Sequence, residues 1–210
     1  MSKIQILVVE LLLLIVVPVF GLMWSASFLA IRPALLGLGA IYCLSRLWFS
    51  HATWDDLGIR RAGFVNSLKS LMIPSLILVL VTYLLFVFLP HPILVRFVGY
   101  DPLVVPSFTN RLIAYIFLSS PIQEFIFRSY LTWRLKQVFT HQLTIKLVSV
   151  SLFTFVHLPF YSRLLLLISA TMGFLYIWVY SRDRNLYAPT ISHSLIGASL
   201  IIIRNAWFPY

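Results

Sequence analysis

The chain has 210 residues, of which 60% are hydrophobic and only 10% are charged. Soluble domains carry about 25% charged residues, so this composition excludes a water-soluble globule and indicates a polytopic membrane protein. The net charge is +10. No dense basic stripe interleaved with polar residues accompanies this charge, so nucleic acid is not expected as a partner, and the cations are expected in short membrane loops.

Seven apolar segments approach the length of about 20 residues that a helix needs to cross a bilayer. They are Ile4–Trp24, Phe28–Phe49, Leu71–Leu89, Leu112–Leu131, Leu147–Tyr161, Leu164–Tyr180 and Leu186–Ile203. We therefore predict an all-α polytopic membrane protein, a bundle of about seven transmembrane helices with a buried polar site. The first segment is longer than the core of a usual signal peptide and is predicted to stay uncleaved. The fifth is short and contains Pro159, which predicts a tilted, broken or re-entrant span.

The distribution of cations predicts the orientation of the chain in the membrane. With the N-terminus inside, the inner segments hold most of the Lys and Arg residues, as the positive-inside rule requires. These residues are Lys3, Arg46, Arg60, Arg61, Lys69, Arg134, Lys136, Lys146, Arg182 and Arg184. We predict an integral protein of the bacterial inner or cytoplasmic membrane, oriented with its N-terminus inside.

The chain is predicted to form a single transmembrane domain over residues 1–210. Residues 1–111 would supply N-terminal spans and loops, and residues 112–203 would form the motif-bearing core. The proline-rich stretch Pro90–Ser107 is predicted as an extended outer loop. The stretch Leu135–Lys146 is predicted as a short interfacial amphipathic helix.

Ionisable residues inside membrane spans are costly and by default mark a functional site. Four of them stand out: Glu124, Arg128, His157 and His193. Glu124 and Arg128 are spaced i, i+4, so they lie on one helix face and can pair. In hydrocarbon each imidazole also needs a partner, so we expect Glu124, His157 and His193 to face one another. Such a set suits hydrolysis, because one group can take a proton from water while an imidazole donates to the oxyanion.

The same three side chains could also bind a metal. Two histidines and one carboxylate form a hydrolytic zinc ligand set. If Glu124 were a ligand, however, no second carboxylate would remain to act as the base. We therefore expect no cofactor, with zinc held by Glu124, His157 and His193 as the alternative. Glu10 and Arg32 lie near span ends and are expected to snorkel to the interface or to pack.

Three short motifs give these residues a family resemblance. The pattern resembles the CPBP intramembrane proteases, the CAAX proteases and bacteriocin-processing enzymes also called the Abi family. That family has the motifs EExxxR, FxxxH and HxxxN on successive membrane helices. Here they stand as "QEFIFR" (Gln123–Arg128), "FTFVH" (Phe153–His157) and "HSLIG" (His193–Gly197). The resemblance implies an intramembrane endopeptidase whose partners are the lipid bilayer and a membrane-embedded or membrane-anchored protein or peptide substrate.

The sequence departs from the family pattern at two positions, which hold Gln123 and Gly197 instead of Glu and Asn. In the family the first Glu and first His activate water, and the second Glu pairs with the Arg. The second His and the Asn stabilise the oxyanion. The resemblance thus implies an activating role for His157 and an oxyanion role for His193. Gln123 cannot act as a base near neutral pH, and Gly197 offers no side-chain donor.

Several interpretations remain open from the sequence. Glu124 could serve as the base together with His157 while Gln123 orients the water, or His157 could be the base alone. The chain could instead be a degenerate relative that binds a membrane peptide or acts as an immunity protein. Because buried Glu and His can form proton relays, a proton-coupled carrier is a further alternative.

Overall fold

The computed structural model describes residues 2–98 and 107–208, and the regular elements in those ranges are all helical. The main helices, in chain order, are α1 (Lys3–Trp24), α2 (Ala26–Phe49), α3 (Phe64–Phe88), α4 (His91–Val98), α5 (108–135), α6 (Gln142–Phe155), α7 (Arg163–Asp183) and α8 (Tyr187–Trp207). Helix α8 packs along α3, and α7 packs against α6 and α3. The predicted all-α polytopic membrane fold is confirmed.

Four helical segments in the described ranges are long and apolar enough to cross a membrane. They are α1, α3, α7 and the segment Gln142–Phe160, which is α6 with the turn that follows it. These segments support an integral membrane protein. The predicted number of about seven spans, the bacterial inner membrane and the inside N-terminus stay predictions.

The outer surface of the bundle is apolar, and much of its interior is polar. Trp48, Phe49, Phe88 and Phe117 are each at least 75% exposed, whereas buried serines and ion pairs lie between the helices. A soluble protein rarely exposes a large contiguous apolar surface, and such a surface marks contact with a membrane or partner. The exposed apolar side chains therefore agree with the membrane protein that the composition predicts.

One end of the bundle is closed by a loop that docks on the turn between α7 and α8. The Arg60 guanidinium donates to the carbonyl oxygens of Asp183 and Arg184 at 3.1 and 3.2 Å. The Leu186 N–H donates to the Gly58 carbonyl at 2.8 Å. Because these bonds join the α2–α3 loop to the α7–α8 turn, both connections lie at the same end of the bundle.

The same loop also contacts α5, which fixes the direction of the later helices. The Ser129 hydroxyl donates to the Leu57 carbonyl at 2.5 Å, near the end of α5. Asn185 is fully buried and donates to the Arg60 and Ala62 carbonyls, while its own oxygen caps α8 by accepting from a backbone N–H. Helices α5 and α7 both end on this side. Helix α6 therefore runs away from this end of the bundle, and α7 runs back to it.

Two loop predictions are wrong. Within the stretch predicted as an extended outer loop, His91–Val98 forms helix α4, which buries Leu94 and Val98 against the core. Residues 99–106 of that stretch lie outside the described residues. The stretch 135–146, predicted as one amphipathic helix, is divided: α5 ends at Leu135, residues 136–141 form a turn, and α6 begins at Gln142.

Glu10 does not reach the interface by snorkelling. It is 4% exposed and its Oε2 lies 2.6 Å from the Arg134 Nε. Its Oε1 accepts from the Tyr42 hydroxyl at 2.9 Å and lies 3.4 Å from the Arg46 Nε. Arg32 lies over the Phe160 ring at 4.6 Å, so it packs on the chain after α6.

We expect Glu10→Gln and Arg134→Gln each to lower the free energy of unfolding by about 3–5 kcal/mol, because each leaves a buried charge without its partner. Thermal unfolding of the purified protein in detergent measures this loss. Arg46→Gln is the control, since the Arg46 side chain is 38% exposed and its ion pair is longer. It should cost no more than about 1 kcal/mol. Equal losses in all three variants would contradict this ranking.

Candidate functional site

The helix that carries the first motif is irregular on both sides of Glu124. Helix α5 contains π-helical segments at Tyr115–Ser119 and Phe125–Tyr130, separated by the short α-helical stretch Ser120–Glu124. Pro121 lies in that stretch and has no N–H to donate. Such π-helical segments are frequent at functional sites, where they re-aim side chains.

Glu124 is the central charge of the site. Its Oε1 accepts from the His193 Nδ1 at 2.8 Å, and its Oε2 accepts from the Arg128 Nε at 3.0 Å. Glu124 and Arg128 are both fully buried. The i, i+4 pair is therefore present, and it also binds the imidazole of α8. Because the carboxylate has no exposed surface, a water molecule that enters the site has no access to it in this arrangement.

The Arg128 guanidinium joins this pair to helices α6 and α7. Its Nη1 donates to the Ser149 hydroxyl at 3.1 Å. Its central carbon lies 4.7 Å from the centre of the Phe153 ring and 5.7 Å from that of Tyr176. Aromatic faces stabilise a desolvated guanidinium, so this cation is matched by one carboxylate, one hydroxyl and two rings.

His157 lies just past the end of α6, where the helical hydrogen bonds run out. Helix α6 ends at Phe155, and a short 3₁₀ turn at Leu158–Phe160 follows. The predicted break in the fifth span is therefore present. The Phe153 carbonyl, one of the carbonyls near the end of the helix, lies 2.7 Å from the His157 Nδ1. A carbonyl oxygen can only accept, so Nδ1 carries a proton and the neutral imidazole presents a lone pair at Nε2.

Phe153 separates and positions the two imidazoles. The centre of its ring lies 5.0 Å from that of His157 and 5.6 Å from that of His193, both in edge-to-face geometry. Two tyrosines, Tyr176 and Tyr115, contact the His193 ring from other sides at 5.9 and 6.0 Å. His193 is thus held between three aromatic rings and one carboxylate.

The two imidazoles lie closer to the surface than the ion pair. His157 and His193 keep 8% and 7% of their surface exposed, whereas Glu124 and Arg128 have none. The histidines therefore form the outer part of the site, and the ion pair lies deeper.

Gln123 does not join the ion pair. Its Nε2 donates to the Ser119 hydroxyl at 2.8 Å along the same helix. This bond fixes the amide group and leaves its carbonyl oxygen able to accept a further hydrogen bond. The amide can therefore orient a water molecule, although it cannot take up a proton.

Gly197 lies one helical turn after His193 on α8 and is fully packed. A Cβ atom built on Gly197 would overlap the Tyr115 hydroxyl and ring. The Tyr115 phenol therefore fills the space into which a side chain at residue 197 would extend. Sequence reasoning missed Tyr115, because one tyrosine in an apolar aromatic-rich run carries no spacing signal. It also missed Ser149, because a single serine in a membrane helix is typical of close helix packing.

The described residues contain no group of three His, Cys, Asp or Glu side chains that could hold a metal ion. At this site the Glu124 oxygens bind the His193 Nδ1 and the Arg128 Nε. The expected absence of a cofactor and the alternative of zinc held by Glu124, His157 and His193 both stay predictions.

Residues 105–199 match the family model described as "Type II CAAX prenyl endopeptidase Rce1-like". The resemblance to the CPBP family is confirmed for this segment. The matched segment contains all three motifs and the residues that meet around Glu124, and the family it describes is one of membrane proteases. No curated protein matches the chain. No solved structure matches it either.

The tight contact behind Phe153 provides a test of the site's packing. A Cβ atom on Gly173 would lie 2.9 Å from the Phe153 Cδ1. A Cβ atom on Gly37 would meet no atom of the described residues within 4 Å outside the backbone of its own helix. We expect Gly173→Ala to lower the free energy of unfolding by about 1–3 kcal/mol through overpacking. The control Gly37→Ala, in the interior of α2, should raise it by up to about 1 kcal/mol. Thermal unfolding in detergent compares the two, and a stable Gly173→Ala protein would contradict the contact.

Proposed function

We propose that the chain is an intramembrane endopeptidase that hydrolyses a peptide bond in a membrane-anchored or peptide substrate. The observation that carries this proposal is the buried Glu124–His193 contact, with His157 and His193 both packed against the Phe153 ring. The match to a protease family model over residues 105–199 supports it. We also propose that the protein lies in the bacterial inner membrane with its N-terminus inside.

His157 is the proposed general base. Its Nδ1–H is bound to the Phe153 carbonyl, which leaves the Nε2 lone pair free to accept a proton from water. Glu124 is not assigned this role, because its carboxylate is fully buried and is bonded to His193 and Arg128. Gln123 is proposed to orient the water through its amide oxygen.

His193 is the proposed oxyanion donor. The Glu124 carboxylate accepts from its Nδ1–H, so its Nε2 points away from the carboxylate. The proposed role requires a proton on Nε2 as well as on Nδ1. Arg128 binds the same carboxylate and helps to hold it against His193. A preorganised donor in a site of low dielectric stabilises the charge that develops in the transition state.

The proposed reaction is a simple hydrolysis. The water oxygen adds to the carbonyl carbon of the scissile bond while one water proton moves to the His157 Nε2. The carbonyl oxygen becomes an oxyanion that accepts from the His193 Nε2–H. When the oxyanion collapses, the C–N bond breaks, and His157 returns the proton to the leaving nitrogen. The products are one new carboxyl group and one new amine.

The three proposed roles can be tested on the protein reconstituted in liposomes. As the probe we choose a fluorogenic peptide that ends in a Cys-aliphatic-aliphatic-X sequence, with and without a farnesyl group on its cysteine. His157→Ala should lower the rate by about 10²–10⁴ because the base is lost. His193→Ala should lower the rate by about 10²–10³, because the oxyanion donor is lost. Glu124→Gln should lower the rate to a similar extent, because Glu124 acts through His193.

His141→Ala is the matched control, since His141 is an exposed imidazole outside the site. It should cleave the peptide at the wild-type rate. Mass spectrometry of the products gives the cleaved bond, and circular dichroism shows whether each variant keeps its helices. Cleavage at the wild-type rate by all three site variants would sink the proposal.

A degenerate, non-catalytic binding protein is the second candidate, because of Gln123 and Gly197. In that case the wild type retains an uncleaved peptide, and Glu124→Gln retains it equally well. A proton-coupled carrier would instead show uptake driven by a pH gradient across the same liposomes.

We expect the cleavage to be independent of added metal ions. Incubation with EDTA or 1,10-phenanthroline should leave the rate unchanged, since the site offers no free ligand set in this arrangement. Loss of activity that Zn²⁺ restores would contradict this expectation. It would mean that Glu124 and both histidines rearrange into a zinc site.

A further inference from the structure

The proposed oxyanion site has one side-chain donor, His193, and the second donor position of the family pattern holds Gly197. Residues 193 and 197 are one turn apart, so they lie on the same face of α8. The space in front of Gly197 is not empty, because it holds the hydroxyl and ring of Tyr115. The phenol comes from α5, the same helix that carries Glu124.

We propose that the Tyr115 hydroxyl is the second oxyanion donor and replaces the side chain that Gly197 lacks. This inference rests on the proposed function. A phenol is both a donor and an acceptor, so its O–H can point at a developing oxyanion. Removal of one such donor in a hydrolase costs about 10²–10³ in rate, so a substitute donor has a measurable effect.

Two contacts fix the phenol beside the imidazole. The Tyr115 ring meets the His193 ring edge-on, with centres 6.0 Å apart and planes at 77°. The hydroxyl end of the same ring lies against the Gly197 backbone. The ring thus runs along the face of α8 from residue 193 to residue 197, and its oxygen lies where the side chain of residue 197 would otherwise project.

The glycine follows from this arrangement. Any side chain at residue 197 would collide with Tyr115. The phenol can therefore occupy this position only when residue 197 is glycine. The local backbone supports the same view, because Tyr115 begins a π-helical segment of α5. A widened turn changes the direction in which the residues before it point.

The competing explanation is that Tyr115 only fills space. Phenylalanine keeps the ring and removes the hydroxyl, so Tyr115→Phe separates the two explanations. With the cleavable peptide described above, we expect kcat to fall by about 10²–10³. KM and the unfolding temperature should stay near the wild-type values. Tyr187→Phe is the matched control, because Tyr187 is an exposed phenol at the start of α8, and it should behave as the wild type.

A swap of the two side chains provides a second test. Gly197→Asn alone should be inactive or unstable, because its side chain collides with Tyr115. Tyr115→Ala alone should be slow, because the donor is lost. The double variant Tyr115→Ala/Gly197→Asn has both the space and an amide donor, so it should cleave about tenfold or more faster than Tyr115→Ala.

The outcomes separate this inference from the proposed function. If Tyr115→Phe keeps the wild-type kcat while Glu124→Gln is slow, the protease proposal stands and the role of Tyr115 is overturned. If the double variant folds but cleaves no faster than Tyr115→Ala, the inference that the Tyr115 hydroxyl replaces a donor at residue 197 is also overturned. If the double variant does not fold, kcat of Tyr115→Phe decides. Absence of any cleavage that depends on Glu124 overturns both proposals.

Discussion

The Glu124 carboxylate holds together the helices that form the candidate site, because its two oxygens bind groups on two different helices. One oxygen binds His193 of α8, and the other binds Arg128 of α5, which in turn reaches Ser149 of α6. In a membrane no water is present to solvate a charge that has lost its partner. Three helices must therefore keep their relative positions for one carboxylate to stay matched.

Both glutamates of the chain pair with arginines of α5, Glu10 with Arg134 and Glu124 with Arg128. The Glu10–Arg134 pair connects α5 to α1 near the end where the loops dock. The Glu124–Arg128 pair lies within α5, and Glu124 connects it to α8 through His193. Lipid supplies no hydrophobic force between helices, so polar contacts and close packing set their arrangement. The placement of Glu, the rarest charge in this sequence, therefore indicates which helix is central.

The sequence was informative where one periodicity decides the answer. Hydropathy located the long helices, and the i, i+4 spacing located the Glu124–Arg128 pair, because both depend only on the helical repeat. The sequence was not informative about contacts that depend on where a helix ends or on which side chains a neighbouring helix supplies. The hydrogen bond that sets the His157 tautomer depends on where α6 ends, and the role of Phe153 depends on two imidazoles from different helices. Tyr115 gained its position from a widened turn that no residue pattern marks.

The same limits explain the two wrong loop predictions. Proline-rich sequence at 90–107 suggested extended backbone, yet a proline just before or at the start of a helix is well tolerated, because the first N–H groups need no intrahelical partner. The apolar positions at 135–146 had a helical repeat, but they are divided among the end of α5, a turn and the start of α6. In each case local composition was compatible with two structures, and packing against the core selected one.

The two π-helical segments of α5 have a consequence for how the helix could change during evolution. Each segment fits about one residue more into a turn than the α-helix around it, so losing one residue there would restore a regular turn and keep both sides of the helix in register. The same loss in an α-helical stretch would rotate one side against the other by about 100°. A deletion within Tyr115–Ser119 would therefore keep Glu124 and Arg128, as well as the face before them, directed at α8, which makes the irregular turns the points where such a helix can change its length and keep its ion pair.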